Sequence, residues 1–344
     1  MAAKGKKRKP AGRPRKRLRL ASVVSAAVLL LFAAFCDWFV HHPRAWLESA
    51  RETLPSFAFD AILRTGNPVG DLTDAFGLTG RDVVYDYDTD PPTGDVLFAG
   101  EPHRTGPVAP GDITVLDRGE FRVGWSKSLR HPVWAAYHVV AEPRFPSGIR
   151  PDFRRDNGVP NCPAAGDYAR SGYDRGHMAP NFAITTRYGT EAQKLTFRMS
   201  NIAPQTPALN RKVWRDLEHR IANLWTARYG EIWVIVGCYG DATRSEKIKG
   251  TEIAVPNRFY MIVVAQEGMD VRVLAVDLPQ DCGWNEYAAR NLVSIDELEE
   301  RTGFDFLPDL PDFIQTPIEA ETPSRLWPIR LRDAFAYLRL LNNG

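Results

Sequence analysis

Short apolar runs rich in β-branched residues recur through the middle of the chain, with turn-forming residues between them. Runs of this length and composition are typical of sheet strands, since branched side chains fit the pleated surface of a sheet. The clearest runs are residues 121–125, 133–140, 232–237, 259–265 and 271–276. The pattern therefore predicts a sheet of at least five strands.

Two helices interrupt this pattern. Val213, Leu217, Ile221 and Leu224 recur at helical spacing, which predicts an amphipathic helix with Asn210 at its start. Further on, Ser294 and the glutamate three residues later form a capping box, which predicts a second helix that runs to residue 301 before a Thr-Gly stop. Strands with a few helices predict a sheet-rich domain of the α+β class.

An uncharged apolar segment, residues 20–36, follows a tail whose first 19 residues hold ten Lys or Arg and no acid. Its length lies near the lower end of the roughly 17 to 25 residues that span a bilayer. The cationic flank favours a cytoplasmic N-terminus with the rest of the chain across the membrane. We therefore expect an uncleaved anchor; the alternative, a cleaved signal peptide, lacks a clean small-x-small site near residues 33–37.

These patterns divide the chain into a basic cytoplasmic tail, a transmembrane anchor, a linker, the sheet-rich domain and a C-terminal helical tail. Their expected bounds are 1–19, 20–40, 41–100, 101–322 and 323–344. The last segment holds a basic amphipathic helix, residues 329–341. That helix is compatible with packing on the domain, on the membrane or on a partner.

The charge balance changes once the N-terminal tail is set aside. The 344 residues carry a formal net charge of +2, but without the ten cations of the tail 34 basic residues face 42 acidic ones, a net of −8. Overall charge therefore does not favour a polyanion ligand, and any such site must rest on local Arg or Lys residues, helix N-termini or a bound cation.

Four cysteines occur, at positions 36, 162, 238 and 282, and none has CxxC spacing. This argues against a structural zinc site. If the domain is exported, the last three allow one disulfide and one free thiol, and the pairing stays open.

The densest polar cluster is Tyr-Asp-Arg-Gly-His-Met-Ala-Pro at residues 173–180. It places a carboxylate, a guanidinium and an imidazole within four positions, Asp174 to His177. Hydrolysis of a phosphodiester needs a base for water and positive charge for the transition state. A neutral His177, Arg175 and a divalent cation would meet these needs.

A second string, Ser-Asn-Ile-Ala-Pro-Gln at residues 200–205, is followed by Leu-Asn, Trp and Leu-Glu in the predicted helix. Asn210 and Glu218 are eight residues apart, about 80° beyond two full helical turns, so both can address one site. Asn210 as a simple helix cap, Glu218 as an exposed helix residue and Asp174 as a support for the turn are the structural alternatives.

These strings resemble the DNA/RNA non-specific endonucleases of the ββα-metal type over about residues 122–311. The resemblance implies a central antiparallel sheet flanked by helices, with His177 as general base and Asn210 as the direct protein ligand of Mg²⁺, for which Mn²⁺ is a substitute. Glu218 would hold metal-bound water, and Asn201 would help to fix the site around His177. Arg175 would contact phosphate or support the metal end of the motif. The family also uses an upstream arginine, for which Arg150 or Arg154 is favoured over Arg155.

The resemblance implies an endonuclease that cuts DNA and RNA with little sequence preference and leaves 5′-phosphates. Two alternatives are a hydrolase of another phosphodiester and an inactive nucleic-acid-binding member of the fold. The family's disulfide pattern has a match near Cys282, for which Cys238 or Cys162 would have to supply the partner. With the anchor, we expect the domain on the extracytoplasmic side, in a bacterial inner membrane by preference and a mitochondrial inner membrane as the alternative.

Overall fold

The computed structural model describes residues 82–86, 96–106, 112–240, 246–267 and 270–329. Seven strands of its main sheet lie in the order β1-β10-β9-β8-β5-β4-β3, and the short β11 pairs with β10. All these pairings are antiparallel. The strands are β1 Val83–Asp86, β2 His103–Arg104, β3 Ile113–Asp117, β4 Phe121–Ser126, β5 His131–Val139, β6 Asp174–His177, β7 Ile202–Gln205, β8 Ile232–Tyr239, β9 Arg258–Glu267, β10 Asp270–Pro279, β11 Leu292–Val293 and β12 Phe304–Asp305.

The helices are α1 Asn181–Tyr188, α2 Thr190–Thr196, α3 Arg215–His219, α4 Thr226–Tyr229, α5 Ile295–Thr302 and α6 Asp312–Ala320. Two π-helical turns, Leu209–Trp214 and Arg220–Trp225, precede and follow α3, so that residues 209–229 form one continuous helix, here called the site helix. Short 3₁₀ turns occur at Ala165–Tyr168, Met199–Asn201 and Ala288–Asn291. All five predicted strands and both predicted helices are present.

The main sheet is covered on both faces, which explains why its strands are almost wholly apolar. In β9, Phe259, Met261 and Val263 join a core that also contains the inner side of the site helix. Tyr260 and Ile262, between them, join a second core that contains residues of α5 and α6. The alternation of side chains along a strand thus divides the protein into two apolar layers, one on each face of the sheet. The expected α+β architecture with a central antiparallel sheet is confirmed.

The predicted capping box at the start of α5 is present. The Glu297 backbone N–H donates to Ser294 Oγ at 3.1 Å, and Ser294 N–H donates to Glu297 Oε2 at 3.1 Å. At the other end, Gly303 adopts φ 71°, the left-handed conformation that ends a helix without a Cβ clash. The helix therefore extends one residue beyond its predicted end, through Thr302.

Segments on both sides of the expected domain bounds, 101–322, join its sheet or core. Strand β1 lies inside the segment interpreted as a linker, yet it pairs with β10 at the edge of the main sheet. At the C-terminus, Trp327 and Ile329 are buried in the same core as the site helix, although the sequence places them in a separate tail. A four-residue edge strand and a short buried segment carry too little periodicity to be separated from loops by pattern alone.

Within these described ranges no helix is both long and apolar enough to cross a membrane. The expected anchor, residues 20–40, and most of the expected amphipathic helix, residues 330–341, lie outside them. Cys162, Cys238 and Cys282 are free and buried, so the disulfide that export would allow is not formed among them.

Candidate active site

Strands β6 and β7 form a separate two-stranded antiparallel sheet, which we call the site ribbon. Asp174 stands opposite Gln205, and His177 opposite Ile202. Gly176 is required by close approach, because a Cβ atom there would overlap the side chain of Gln205. Alternate residues of a strand share a side, and both Arg175 and His177 contact the ring of Phe153.

His177 packs against two aromatic rings, which also contact each other, and is only 8% exposed. Its ring centroid is 5.3 Å from that of Phe153 and 4.8 Å from that of Phe197. Its Nε2 atom is buried and has no hydrogen-bond partner among the described residues. Burial, aided by the charge of Arg150, lowers the pKa of His177 to about 3. The imidazole is therefore neutral at physiological pH, the form that can accept a proton.

Of the three upstream arginines, Arg150 is the one whose charge reaches the site. Its guanidinium carbon lies 5.5 Å from the centroid of the Phe197 ring, and its charge lowers the pKa of both His177 and Glu218. Arg154 pairs through its backbone with Arg198. Arg155 Nε donates to the carbonyl oxygen of Cys162 at 2.8 Å, which directs the Arg155 side chain toward the loop that contains Cys162.

Arg175 is exposed beside His177. Its guanidinium carbon lies 4.7 Å from the centroid of the Phe153 ring, and its Nη1 donates a long, 3.4 Å hydrogen bond to the Ala165 carbonyl. The side chain therefore rests on an aromatic surface with most of its donors free for a solvent-borne anion.

Asn201 is buried and forms hydrogen bonds with the backbone that follows His177. Its Oδ1 accepts from Ala179 N–H at 2.9 Å, while its Nδ2 donates to the carbonyls of Ala179 and Thr196 at 2.9 and 3.0 Å. Its own carbonyl accepts from Met178 N–H at 3.0 Å. With its amide fully used in this way, Asn201 fixes the end of β6 rather than facing substrate.

Asn210 lies within the first turn of the helical region, where its backbone N–H donates to the Thr206 carbonyl at 2.9 Å, so it is not the helix cap. Its Nδ2 donates to Asp174 Oδ2 at 2.9 Å. Asp174 is in turn held by Arg211 through two hydrogen bonds of 2.7 and 2.6 Å. These bonds, those from Arg211 first, lower the pKa of Asp174 and keep it a carboxylate. Because its nitrogen is fixed in this way, the Asn210 amide presents Oδ1 as its free atom.

The π-helical turn after Asn210 changes the geometry expected from an ideal helix. A π-helical turn holds one more residue than an α-helical turn. The eight residues from Asn210 to Glu218 therefore rotate about the helix axis by as much as about seven α-helical residues, roughly 20° short of two full turns. Asn210 and Glu218 therefore lie more nearly in line than the 80° offset of a regular α-helix would allow. Turns of this type are frequent at functional sites.

Glu218 is partly buried, so it is not an exposed helix residue. Burial raises the pKa of its carboxyl to about 8, and the charge of Arg150 opposes that rise. A carboxyl in this position is poorly solvated as an anion, and a nearby cation would restore its charge. The amide oxygen of Asn210 and this carboxylate are hard oxygen donors of the kind that suits Mg²⁺ with most of its waters retained. The residues present thus fit a hydrated divalent cation.

Several site residues had no role in the sequence interpretation. Phe153 and Phe197 form the walls around His177, Gln205 covers Gly176, and Arg211 fixes Asp174. Gln205 and Arg211 lie inside or next to the quoted strings, which is the signal that could have indicated them. The two phenylalanines carry no such signal, because a lone aromatic residue is most often core.

The chain is similar to known nucleases over most of its described part. The family model described as DNA/RNA non-specific endonuclease matches residues 100–313. A nuclease of Nostoc sp. is 31% identical over 240 residues, 65% of this chain and 85% of the relative. Nuclease EXOG of Xenopus laevis mitochondria is 29% identical over 205 residues, 55% of this chain and only 56% of the relative. A crystal structure of the EndoG/EndoGI complex superimposes with a TM-score of 0.54 at 24% identity, over 60% of this chain and 90% of that one, which shows the shared fold.

Proposed function

The chain belongs to the DNA/RNA non-specific endonuclease family, and on that premise we propose that it hydrolyses internal phosphodiester bonds of both DNA and RNA. Membership of this family makes the chain a nuclease. Its action on both DNA and RNA and the roles of its residues are what we propose. The observation that carries it is the neutral His177 imidazole on the same strand as Asp174, the residue that orients Asn210.

His177 acts as the general base. Because Nε2 is buried, we infer that Nδ1 is the nitrogen that accepts a proton from the attacking water. The water oxygen bonds to phosphorus as the bond from phosphorus to the 3′-oxygen breaks. The 3′-oxygen takes a proton from solvent, so the products carry a 5′-phosphate and a 3′-hydroxyl group.

Arg150 and Arg175 supply positive charge on the two sides of His177. Each is exposed and lies near one of the aromatic walls, Arg150 by Phe197 and Arg175 by Phe153. Preorganised guanidinium groups stabilise the extra charge that develops on phosphate oxygens in the transition state. Since the chain beyond residue 19 carries a net charge of −8, these local cations also have to attract the substrate.

Asn210 and Glu218 would hold Mg²⁺ through oxygen atoms on one side of the site helix. When bound, the cation would neutralise phosphate charge and stabilise the leaving oxygen. Asp174 and Arg211 keep the Asn210 amide in the orientation that such a ligand needs. Mn²⁺, which prefers the same oxygen donors, is expected to substitute.

The proposal is tested by incubating the purified protein with supercoiled plasmid and with a long RNA, with Mg²⁺ or with EDTA. We expect both polymers to be cut only with the cation, and His177→Ala to abolish cutting while His103→Ala on exposed strand β2 does not. Intact polymers alongside cleavage of a small diester would contradict the substrate class. Binding without cleavage by the unaltered protein would contradict catalysis.

We further propose that residues 20–40 anchor the protein in a membrane with the nuclease domain on the extracytoplasmic side. The support is the uncharged segment and its cationic flank in the sequence. Protease added to intact cells with a permeabilised outer layer should degrade the domain and leave the N-terminal tail protected. Protection of the domain until the inner membrane is lysed would contradict this topology.

A further inference from the structure

A group of acidic residues joins helices α5 and α6 on the opposite face of the main sheet from the site helix. One carboxylate oxygen each from Asp296, Glu299 and Glu319 lies within 4.8 Å of the other two. Asp296 and Glu299 are three residues apart on α5, so their side chains project from one face of that helix. Glu319 reaches them from α6.

Glu319 distinguishes this group from an ordinary acidic surface. It is 4% exposed, and its Oε1 atom is buried with no hydrogen-bond partner in the described part of the chain. None of the ion pairs formed there involves Glu319, Glu299 or Asp296. Gln315 hydrogen-bonds to the Glu319 carboxyl but leaves Oε1 unpartnered. A buried carboxylate oxygen without a cation or donor is strongly disfavoured, so Oε1 requires a ligand or a proton.

The electrostatic environment agrees with a missing positive charge. Burial, together with the neighbouring acids, raises the pKa of Glu319 to about 9 and that of Glu299 to about 7. Asp305 on β12 adds a further negative charge to both. Four carboxyl groups thus lie near one another, and no Lys or Arg is among the groups that shift the pKa of Glu319 or Glu299.

The surrounding structure holds the group in place. Phe306 N–H donates to Glu299 Oε1 at 2.7 Å, and Gln315 Nε2 donates to Asp305 Oδ1 at 3.0 Å. These bonds connect α5, the segment after it and α6. The Glu299 oxygen and the acidic face are therefore positioned by backbone and amide donors, as in a preformed site.

We propose that Asp296, Glu299 and Glu319 bind a divalent cation, Ca²⁺ by preference, at a structural site separate from the nuclease centre. Calcium–oxygen distances of 2.3–2.6 Å place opposite ligands about 5 Å apart, and the observed oxygens lie inside that span. Ca²⁺ accepts several carboxylates in irregular geometry, whereas Mg²⁺ usually takes one or two and keeps its waters. The exposed Asp296 gives the ion a path from solvent. The bound ion would link α5 to α6.

The test is Ca²⁺ titration of the EDTA-treated full-length protein by calorimetry, with thermal unfolding as a second readout. The measurement is made in an Asn210→Ala background, so that the nuclease centre does not contribute a ligand. We expect one bound Ca²⁺ per chain and a higher Tm with calcium. Glu319→Gln and, at the exposed edge, Asp296→Asn should each weaken binding at least about tenfold.

Glu300→Gln, an exposed acid on the same helix outside the group, is the matched control and should bind like the parent. Absence of calcium binding at about 10 mM, or binding unchanged by Glu319→Gln, overturns the proposal. A Glu319→Gln variant that is more stable than the parent, with a Tm insensitive to calcium in both, would mean that the carboxyl group is held by a proton instead. None of these outcomes depends on nuclease activity.

Discussion

The Nδ2 atom of Asn210 donates a 2.9 Å hydrogen bond to Oδ2 of Asp174, which joins the site helix to strand β6. Because Nδ2 makes this bond, Oδ1 is the atom of the Asn210 amide that faces outward. The bond also gives Asp174 a defined part in the site, because its carboxylate positions the metal-ligand candidate without being a ligand itself.

Replacing Asp174 with alanine should release the Asn210 amide and lower both activity and apparent Mg²⁺ affinity. Loss of a group that orients a metal ligand commonly costs about 10- to 100-fold. Initial rates of plasmid cleavage against Mg²⁺ concentration measure both quantities. Arg211→Gln is the control, because it keeps the hydrogen bond that Asn210 donates to Asp174 and should lower activity and Mg²⁺ affinity less. Equal Mg²⁺ dependence in the parent and Asp174→Ala would refute this role.

Arg150→Gln should move the acid limb of the pH–rate profile to higher pH. The Arg150 cation lowers the pKa of His177, so its removal lets the imidazole take up a proton at a higher pH and leaves less of the neutral base in mild acid. Rates measured from about pH 2.5 to 7 at one saturating Mg²⁺ concentration, a range that includes the His177 pKa of about 3, give the shift. Arg154→Gln, whose parent residue pairs with Arg198 through its backbone, should leave the limb in place. A limb that moves to lower pH in Arg150→Gln would contradict the electrostatic argument.

Gly176→Ala should disrupt the site ribbon. The added Cβ would overlap the buried Gln205 side chain, and such overpacking commonly costs about 1–3 kcal/mol. Urea unfolding and cleavage assays would report the loss. The double variant Gly176→Ala/Gln205→Ala removes the overlap and should recover part of the stability. Gly166→Ala, where a Cβ atom meets nothing within 4 Å, is the neutral control. A double variant no more stable than the single one would show that the overlap is not the cause.

Trp327→Ala should destabilise the domain by about 3–5 kcal/mol, because a large fully buried aromatic side chain leaves a cavity. Trp327 packs against Trp225 at 5.3 Å and Tyr229 at 5.3 Å between ring centroids. Chemical denaturation measures the change. Phe313→Ala, at a position 71% exposed, should alter stability by less than about 0.5 kcal/mol. A Trp327→Ala variant as stable as the parent would mean that the C-terminal segment does not contribute to the core.

The sequence predicted those parts of the fold whose physics is local. Ser294 and Glu297 satisfy each other's backbone groups within one turn, so the start of α5 could be located without any tertiary information. The strands around Val234 and Val263 form continuous apolar runs because both faces of the sheet are covered. Strand β1 could not be predicted in this way, because its pairing with β10 joins residues almost two hundred positions apart.

The residues of the candidate site also differ in whether local sequence could identify them. His177, Asn210 and Glu218 could be selected because they stand in two dense polar strings. The π-helical turn at Leu209–Trp214 could not be predicted, since spacings of four and four between Val213, Leu217 and Ile221 are equally compatible with a regular helix. The importance of Arg150 depends on how a loop without periodicity folds over the Phe197 ring.

The site ribbon is a two-stranded sheet, whereas strand β9 pairs with neighbours on both sides in the large sheet. Two-stranded ribbons are held by few hydrogen bonds, and such regions open at lower free energy than a central strand. We therefore expect the amides of residues 174–177 to exchange with deuterium well before those of β9. On gradual warming, the His177 imidazole would then lose its contacts with Phe153 and Phe197 while the rest of the molecule is still folded, and nuclease activity would disappear at a lower temperature than the circular dichroism of the sheet.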